Sequence, residues 1–331
     1  MRRLLWSVPL IAVIWFGYWA AASWSLRGAI ATWLEARHTE GWQAEAGLAT
    51  TGFPGSIGVR LLDLALADPA TGLAITARAI GIEGRALWPA DITVTLPPDP
   101  ITVATPQGRG ALVMQEAALS LDTYPGTALE VAELGWRAAN WSVTGPQGEA
   151  LRAGGLTLNM SHLGGTTYAL VAEAPGIAPG DAARTSLRIP AAWPAVFDVA
   201  RAEGEITFDR AWDRRALEEA RPQPTRIDLS LAEARWGDLR LRLAAALDVN
   251  ADGVPTGTVN LQADNWPVML ELATDAGLLD PRARPQIEAG LTRLARLNGN
   301  PEALDVQLNF AAGLVAVGII PVGPAPRFVI R

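Results

Sequence analysis

Apolar positions along this chain follow two different periods. Between Leu4 and Leu26 no charged residue interrupts the sequence; Arg2 and Arg3 precede the run and Arg27 follows it. A helix over this stretch is long enough to cross a bilayer core of about 30 Å. Beyond it Leu26, Ile30, Trp33 and Leu34 recur at helical spacing, so the helix is expected to continue to about His38. From about Gly47 the period drops to two. In "DITVTLP", Ile92, Val94 and Leu96 share one face while Thr93 and Thr95 share the other, the pattern of a half-buried strand. The same alternation returns in "VRLLDLAL", "GLAITARAIGI", "ITVAT", "ALVMQEAALSL", "LTLNM" and "TYALVAEA", with Gly- and Pro-bearing turns between them.

Residues 176–222 are less regular, and "DRAWDRRALEEARPQP" reads as a charged surface helix ended by Pro222 and Pro224. Alternation resumes with "TRIDLSLAEARW", "DLRLRLAAALDV" and "GTVNLQADNW". Two helices follow, the first N-capped by Asn265 with Pro267 just inside it, the second stopping at Asn298-Gly299. A hairpin begun at Leu304, with a last strand over Val315–Ile320, closes the pattern. Trp-Pro pairs at residues 88, 193 and 266 give a faint echo of duplication. With no helices of βαβ length between strands, the expected fold is mainly β (α+β): a transmembrane helix (1–26), a helical stalk (27–44) and an antiparallel, curved or barrel-like β-rich body (45–331), with a sub-boundary near 176–222 and a few helices near the C-terminus.

Arg2 and Arg3 predict an N-terminus held in the cytoplasm and an exported remainder, a single-pass inner-membrane protein with its body in the periplasm. Trp15, Phe16, Tyr18, Trp19 and Trp24 form the aromatic belt expected at the outer interface. The small residues of "AAAS" (20–23) allow the alternative of a cleaved signal peptide and a soluble periplasmic body. Charged residues make up only 18% of the chain, which fits a membrane segment or broad apolar sheet faces. The net charge of −7 argues against nucleic acid as a partner. There is no cysteine, hence no disulfide, thiolate or Cys-based metal chemistry, and no lysine, a bias of GC-rich bacterial genomes.

Candidate chemistry is sparse. "DVNADG" places Asp248, Asn250, Asp252 and Gly253 as in a calcium loop, but Val259 stands where the bidentate Glu belongs, so a hairpin turn is expected. Ser161 and His162 are neighbours in a strand and point to opposite faces, which disfavours a catalytic pair. Glu35 and His38 have di-iron spacing without the second copy such a site requires. Arg282, Arg284, Arg293 and Arg296 surround the last helix and suit a solvated face, or a contact with anionic headgroups or an acidic partner. No catalytic, cofactor or metal site is expected.

The C-terminal part, "DLRLRLAAALDVNADGVPTGTVNLQADNWPVMLELATDAGLLDP" and then "LARLNGNPEALDVQLNFAAGLVAVGIIPVGPAP", resembles the DUF2125 family of alphaproteobacterial proteins. Gly318, Pro321, Gly323, Pro324 and Pro326 fit that family's Gly/Pro-rich tail. The resemblance implies a membrane segment followed by a β-rich exported body. That architecture is in turn similar, at the level of fold, to AsmA-like envelope proteins. The expected function is non-enzymatic: envelope maintenance, with inner-membrane lipids as partners and a phospholipid or other apolar ligand held along a sheet groove. A ligand-free scaffold for envelope proteins is the alternative, and an unrecognised hydrolase stands third.

Overall fold

The computed structural model describes all residues except 1, 192, 278, 298, 319 and 331; of residues 2–9, 89, 217, 218, 297 and 320–322 it describes the backbone alone. A continuous helix, α1 (Arg2–Thr39), opens the chain. It is joined to β1 (Gln43–Thr51), β2 (Ser56–Asp68) and β3 (Leu73–Arg85), a meander of long antiparallel strands. The next strands come as folded pairs: β4 (Trp88–Thr95) with β5 (Ile101–Thr105), β6 (Gly108–Met114) with β7 (Ala118–Thr123), β8 (Val131–Ala138) with β9 (Trp141–Gly145), β10 (Gly148–Ala153) with β11 (Leu156–Gly164), and β12 (Thr167–Glu173) with β13 (Ala178–Pro179).

Each pair is one long strand broken at a crease. The upper part of β3 pairs with β4 and its lower part with β5, and this fork is carried along the sheet. One branch runs β4, β7, β8, β11, β12; the other runs β5, β6, β9, β10, β13. Residues that interrupt a ladder mark the crease: three prolines at 97, 98 and 100, Gly154-Gly155, and Pro175-Gly176. Crossing hydrogen bonds satisfy its backbone, among them Leu96 N to Ala117 O (3.0 Å), Ala139 N to Gln115 O (2.8 Å) and Gly154 N to Pro175 O (3.0 Å).

After the short α2 (Asp181–Ser186) the first branch continues through β14 (Val199–Phe208), β15 (Pro224–Trp236), β16 (Leu239–Val249) and β17 (Pro255–Asp264). A one-turn helix, α3 (Arg215–Glu218), lies between β14 and β15. Helices α4 (Trp266–Asp275) and α5 (Arg284–Leu297) precede β18 (Ala303–Ala311), β19 (Leu314–Val317) and the edge strand β20 (Ile320–Pro324). The expected mainly-β class is therefore found as one large antiparallel sheet, open and curved.

The registers make the two faces of this sheet chemically distinct. One row of cross-strand partners reads Val59, Ile82, Val94, Leu119, Trp136, Leu158, Ala172, Ala202, Ala232, Leu243, Leu261, Val306. On the other face a row reads Arg60, Gly81, Thr95, Ala118, Arg137, Thr157, Glu173, Arg201, Glu233, Arg242, Gln262, Asp305. Helices cover the apolar face at its two ends. Leu26 and Ile30 of α1 pack on the core formed by Val59, Leu61 and Leu64. Met269, Leu270, Leu291 and Leu294 of α4 and α5 pack around Trp266, Ala295 and Leu304. Of the segment 27–44, read from sequence as a stalk, residues 27–39 continue α1, which lies against β1 and β2, and residues 43–44 already belong to β1.

Three local expectations differ from the structure. The charged helix over 209–222 shrinks to α3, because Trp212 is drawn into a cluster with Tyr168 and Phe208, and Asp213 binds the Arg215 backbone and guanidinium. Asn265 does not cap α4 with its side chain. It takes a left-handed φ of 57°, and its amide donates instead to Asp238 O at 2.9 Å in the turn between β15 and β16. The last strand over Val315–Ile320 is two strands, since the chain turns at Gly318 and β20 pairs back on β19. The three Trp-Pro pairs occupy unlike places: Trp88 begins β4, Trp193 lies in a loop, and Trp266 begins α4. Among the described residues no helix is long and apolar enough to cross a membrane.

Candidate functional site: the uncovered sheet face and the aromatic collar

Between the two helix-covered ends the apolar face stays open. Leu158, Leu170, Ala172, Ala202, Leu229, Ala232 and Leu243 are half-buried, and none belongs to the helix-packed cores. Four residues there are small: Ala172 on β12, Ala202 and Gly204 on β14, and Ala232 on β15. Taller side chains flank them in the same row, Trp136 and Leu158 on one side, Leu243 and Leu261 on the other. The result is a furrow with a low apolar floor. Beside it a depression of about 420 Å3 lies over Leu170, Gly204, Leu229 and Ala245, with Glu203, Glu205, Asp228 and Ser230 also in its lining.

The row beside the furrow is roofed. Trp212 folds over Tyr168 and Ile206, its backbone N–H donating to the Tyr168 hydroxyl at 3.1 Å, and Ile330 packs into the same cluster. Burial pushes the Tyr168 phenol above its usual value. This roof faces the end of α1 across a larger cleft of about 1150 Å3, lined by Trp33, Arg37 and Trp42 on one side and by Asp209, Arg210, Glu219, Arg221 and Ile330 on the other. Counted along the sheet, β2 and β14 stand seven strand steps apart, roughly 34 Å if flat at the usual spacing. Elements attached to both nevertheless share one cleft, so the sheet bends its apolar face inward. Aromatic, guanidinium and carboxylate groups meet here, with Arg37 paired to Glu40 at 2.8 Å and Arg210 to Asp209 at 3.5 Å.

At the other end of α1 lies a collar of aromatic residues. Trp15 Nε1 donates to Pro54 O (3.1 Å), Tyr18 OH to Ala86 O (2.7 Å) and Trp19 Nε1 to Ser56 O (2.8 Å). Phe53, at the tip of the β1–β2 hairpin, meets Phe16 and Trp19 edge-on at 5.8 and 5.2 Å. Four of the five expected belt residues are therefore brought together by two hairpin tips, while Trp24 is 78% exposed. Arg2 and Arg3 lie in α1, and their side chains are outside the described residues. The sequence marked these aromatics but not their contacts; the acceptors of Trp15, Tyr18 and Trp19 are main-chain carbonyls with no residue signature.

The tail behaves differently from a strand terminator alone. Pro321 and Pro324 lie in the edge strand β20, where a missing donor is tolerated; the side chain of Pro321 is outside the described residues. Gly318 has φ 60° at the turn before it, and Gly323 pairs with Val315. The chain around Pro326 then becomes a strap over three strand ends. Ala325 N donates to Gly313 O (2.8 Å), Phe328 N to Gly253 O (2.8 Å) and Ile330 N to Gln223 Oε1 (2.9 Å).

The remaining motifs resolve into structural contacts. Asn250 Oδ1 accepts from Asp252 N (3.0 Å) and Val254 N (2.9 Å), closing a turn in "DVNADG". The His162 ring lies tilted against Tyr168, centroids 5.0 Å apart, and its ring nitrogens meet Tyr124 OH (3.3 Å) and Gly165 O (3.1 Å). Among the described residues no three His, Asp or Glu side chains converge as a metal site. The last-helix arginines stay on the surface, with Arg284 paired to Glu288 at 3.7 Å.

An open, inward-curved antiparallel sheet, carried on one long N-terminal helix and bearing an apolar furrow, defines the class of protein. The family described as "Uncharacterized protein conserved in bacteria (DUF2125)" matches residues 19–326, and the chain belongs to it. No curated protein and no solved structure matches the chain.

Proposed function

We propose that this is a non-enzymatic membrane-anchored protein of the bacterial envelope that holds a lipid or similar apolar molecule along the inner face of its sheet. The observation that carries the reading is the furrow over Ala172, Ala202, Gly204 and Ala232. A sheet that needed only a core would fill this row with Leu or Val and cover it with a helix, as it does at both ends. A groove this apolar fits an acyl chain, and the arginines of the adjoining cleft fit the anionic head. For the location, support comes from Arg2 and Arg3 ahead of a charge-free run, which favours a cytoplasmic N-terminus and a periplasmic body.

The test is extraction of the detergent-purified full chain, followed by lipid mass spectrometry. Phospholipid near one molecule per chain is expected, with a marked loss in Ala202→Phe, whose ring would stand in the furrow. A native chain free of lipid would sink the reading and favour a ligand-free scaffold. Lipid that survives Ala202→Phe would move the site away from the furrow. A periplasm-only reporter fused at the C-terminus tests the topology separately, and an inactive reporter overturns it.

A further inference from the structure

We infer that the tips of the β1–β2 and β3–β4 hairpins, around Phe53 and Leu87, are themselves part of the membrane anchor and lie in the interfacial layer of the bilayer. The inference rests on the reading that the N-terminal part of α1 enters a membrane. The lengths motivate it. From Leu4 to Leu26 the charge-free run rises about 34 Å, a length comparable to a bilayer core, but Leu4 to Ile14 rises only about 16 Å. From Trp15 onward the helix is held by the hairpin tips through Trp15, Tyr18 and Trp19. The free helix alone is too short for a crossing, so a helix that inserts far enough takes the tips with it.

The tips are built for that environment. Residues 52–57 (GFPGSI) and 86–90 (ALWPA) carry no charge, and Leu87 is 81% and Phe53 52% exposed. Exposed apolar side chains of α1, Leu10, Ile11, Val13 and Ile14, continue the same surface. Backbone polar groups would be costly there, yet most are already used. The carbonyls of Pro54, Ser56 and Ala86 accept from the aromatic side chains. Ser56 N bonds Gly52 O (2.8 Å), Ala86 N bonds Gly55 O (3.1 Å), and Pro54 has no N–H. Interfacial Trp and Tyr ordinarily direct their donors to headgroups or water. Here the donors turn inward to the hairpins and leave apolar ring surface outside. Arg85, just inside the second tip, pairs with Asp91 at 3.6 Å and marks the polar side of the boundary.

The chain has no cysteine, so single-Cys labelling needs no background removal. The full chain is reconstituted in phosphatidylglycerol–phosphatidylethanolamine vesicles with an environment-sensitive fluorophore at Leu87→Cys, Ile11→Cys or Ala70→Cys. Ala70 lies in the turn at the far end of the β2–β3 hairpin, about 43 Å from the tip. The expected result is a blue shift and loss of emission to shallow spin-labelled lipid at Leu87, loss to deep spin-labelled lipid at Ile11, and neither at Ala70. An unquenched Leu87 label with a quenched Ile11 label overturns the inference and leaves the helical anchor standing. An unquenched Ile11 label overturns both. Equal quenching at Ala70 and Leu87 overturns the end-on orientation.

Discussion

Glu233 offers a quantitative test of how the polar face is held. Its carboxylate is 4% exposed and bridges three strands. Arg201 Nε and Nη2 reach Oε2 at 3.1 and 2.9 Å, Arg240 Nε reaches Oε1 at 2.6 Å, and Arg242 Nε stands 3.5 Å from Oε1. The three arginines are each more than a third exposed, so water screens them and the full cost of a broken buried pair, about 3–5 kcal/mol, does not apply. Losing the charge-assisted bonds while leaving three guanidiniums close together should cost about 2–3 kcal/mol in Glu233→Leu. Glu233→Gln keeps one acceptor and should lose roughly half of that. For a body of this size the expected fall in melting temperature is about 4–8 °C for Glu233→Leu, read by circular dichroism of the strand signal at neutral pH. The hydrogen bond from Arg240, then that from Arg201, holds the Glu233 carboxyl below its usual pKa. A lowered folded pKa means the stabilisation is complete above the unfolded value near 4.3 and is lost as pH falls through the folded one. The gap between native and Glu233→Gln should therefore be constant from pH 7 to about 5 and close below about 4. Melting of Glu233→Leu within a degree of native at pH 7, or a gap that widens in acid, would refute the assignment.

Further outcomes follow from single contacts. Gly253→Ala should cost more than Gly318→Ala, although both glycines have positive φ (76° and 60°). A Cβ at residue 253 would stand 2.6 Å from Val329 Cγ2 and 2.8 Å from Phe328 O, whereas nothing lies within 4 Å at residue 318. Chemical denaturation should give about 1 kcal/mol for the second and at least twice that for the first, and equal losses would deny the strap's close approach. Gln223→Ala removes both side-chain bonds to Ile330, at 2.8 and 2.9 Å, and should speed proteolytic removal of the last residues without changing the fold's strand signal. Asn250→Ala should lose about 1 kcal/mol through its two turn bonds, with millimolar calcium leaving native and variant melting temperatures unmoved.

Much of the sheet was legible because alternation is a local signal: the turn at Asn250, the strand over 92–96 and the helical face of Leu26, Ile30 and Leu34 could each be read from a dozen residues. The creases were less so. Stretches such as "LPPDP" and "AGG" do not announce a crease, because a bend within one ladder and a turn between two use the same residues. The tail and the belt were half-legible for a related reason. Proline spacing showed where pairing weakens, and the aromatics of α1 stood out as a cluster, but the partners of Phe328, Trp15 and Tyr18 are main-chain groups. Trp212 shows the opposite error: a charged stretch looked helical until a tertiary aromatic cluster claimed its one large residue.

The furrow was invisible in sequence for a deeper reason, and that reason bears on what it is. Ala172, Ala202 and Ala232 are each unremarkable in an alternating strand. Only the register places three alanines in one row, with Gly204 beside them. Small residues pack poorly against a helix unless its backbone comes close, and these three alanines belong to neither the core under α1 nor that under α4 and α5. Filling the row with leucines would raise the floor by a few ångströms and remove the furrow, at a gain of about 1–2 kcal/mol per residue if the new side chains were buried. The strands around it show that the chain does use Leu and Trp in such positions where a core is built, at Trp136 and Leu261 for example. The low row is thus a local departure from the chain's own habit. A departure of that kind is expected where a surface must stay free for something else to pack on it.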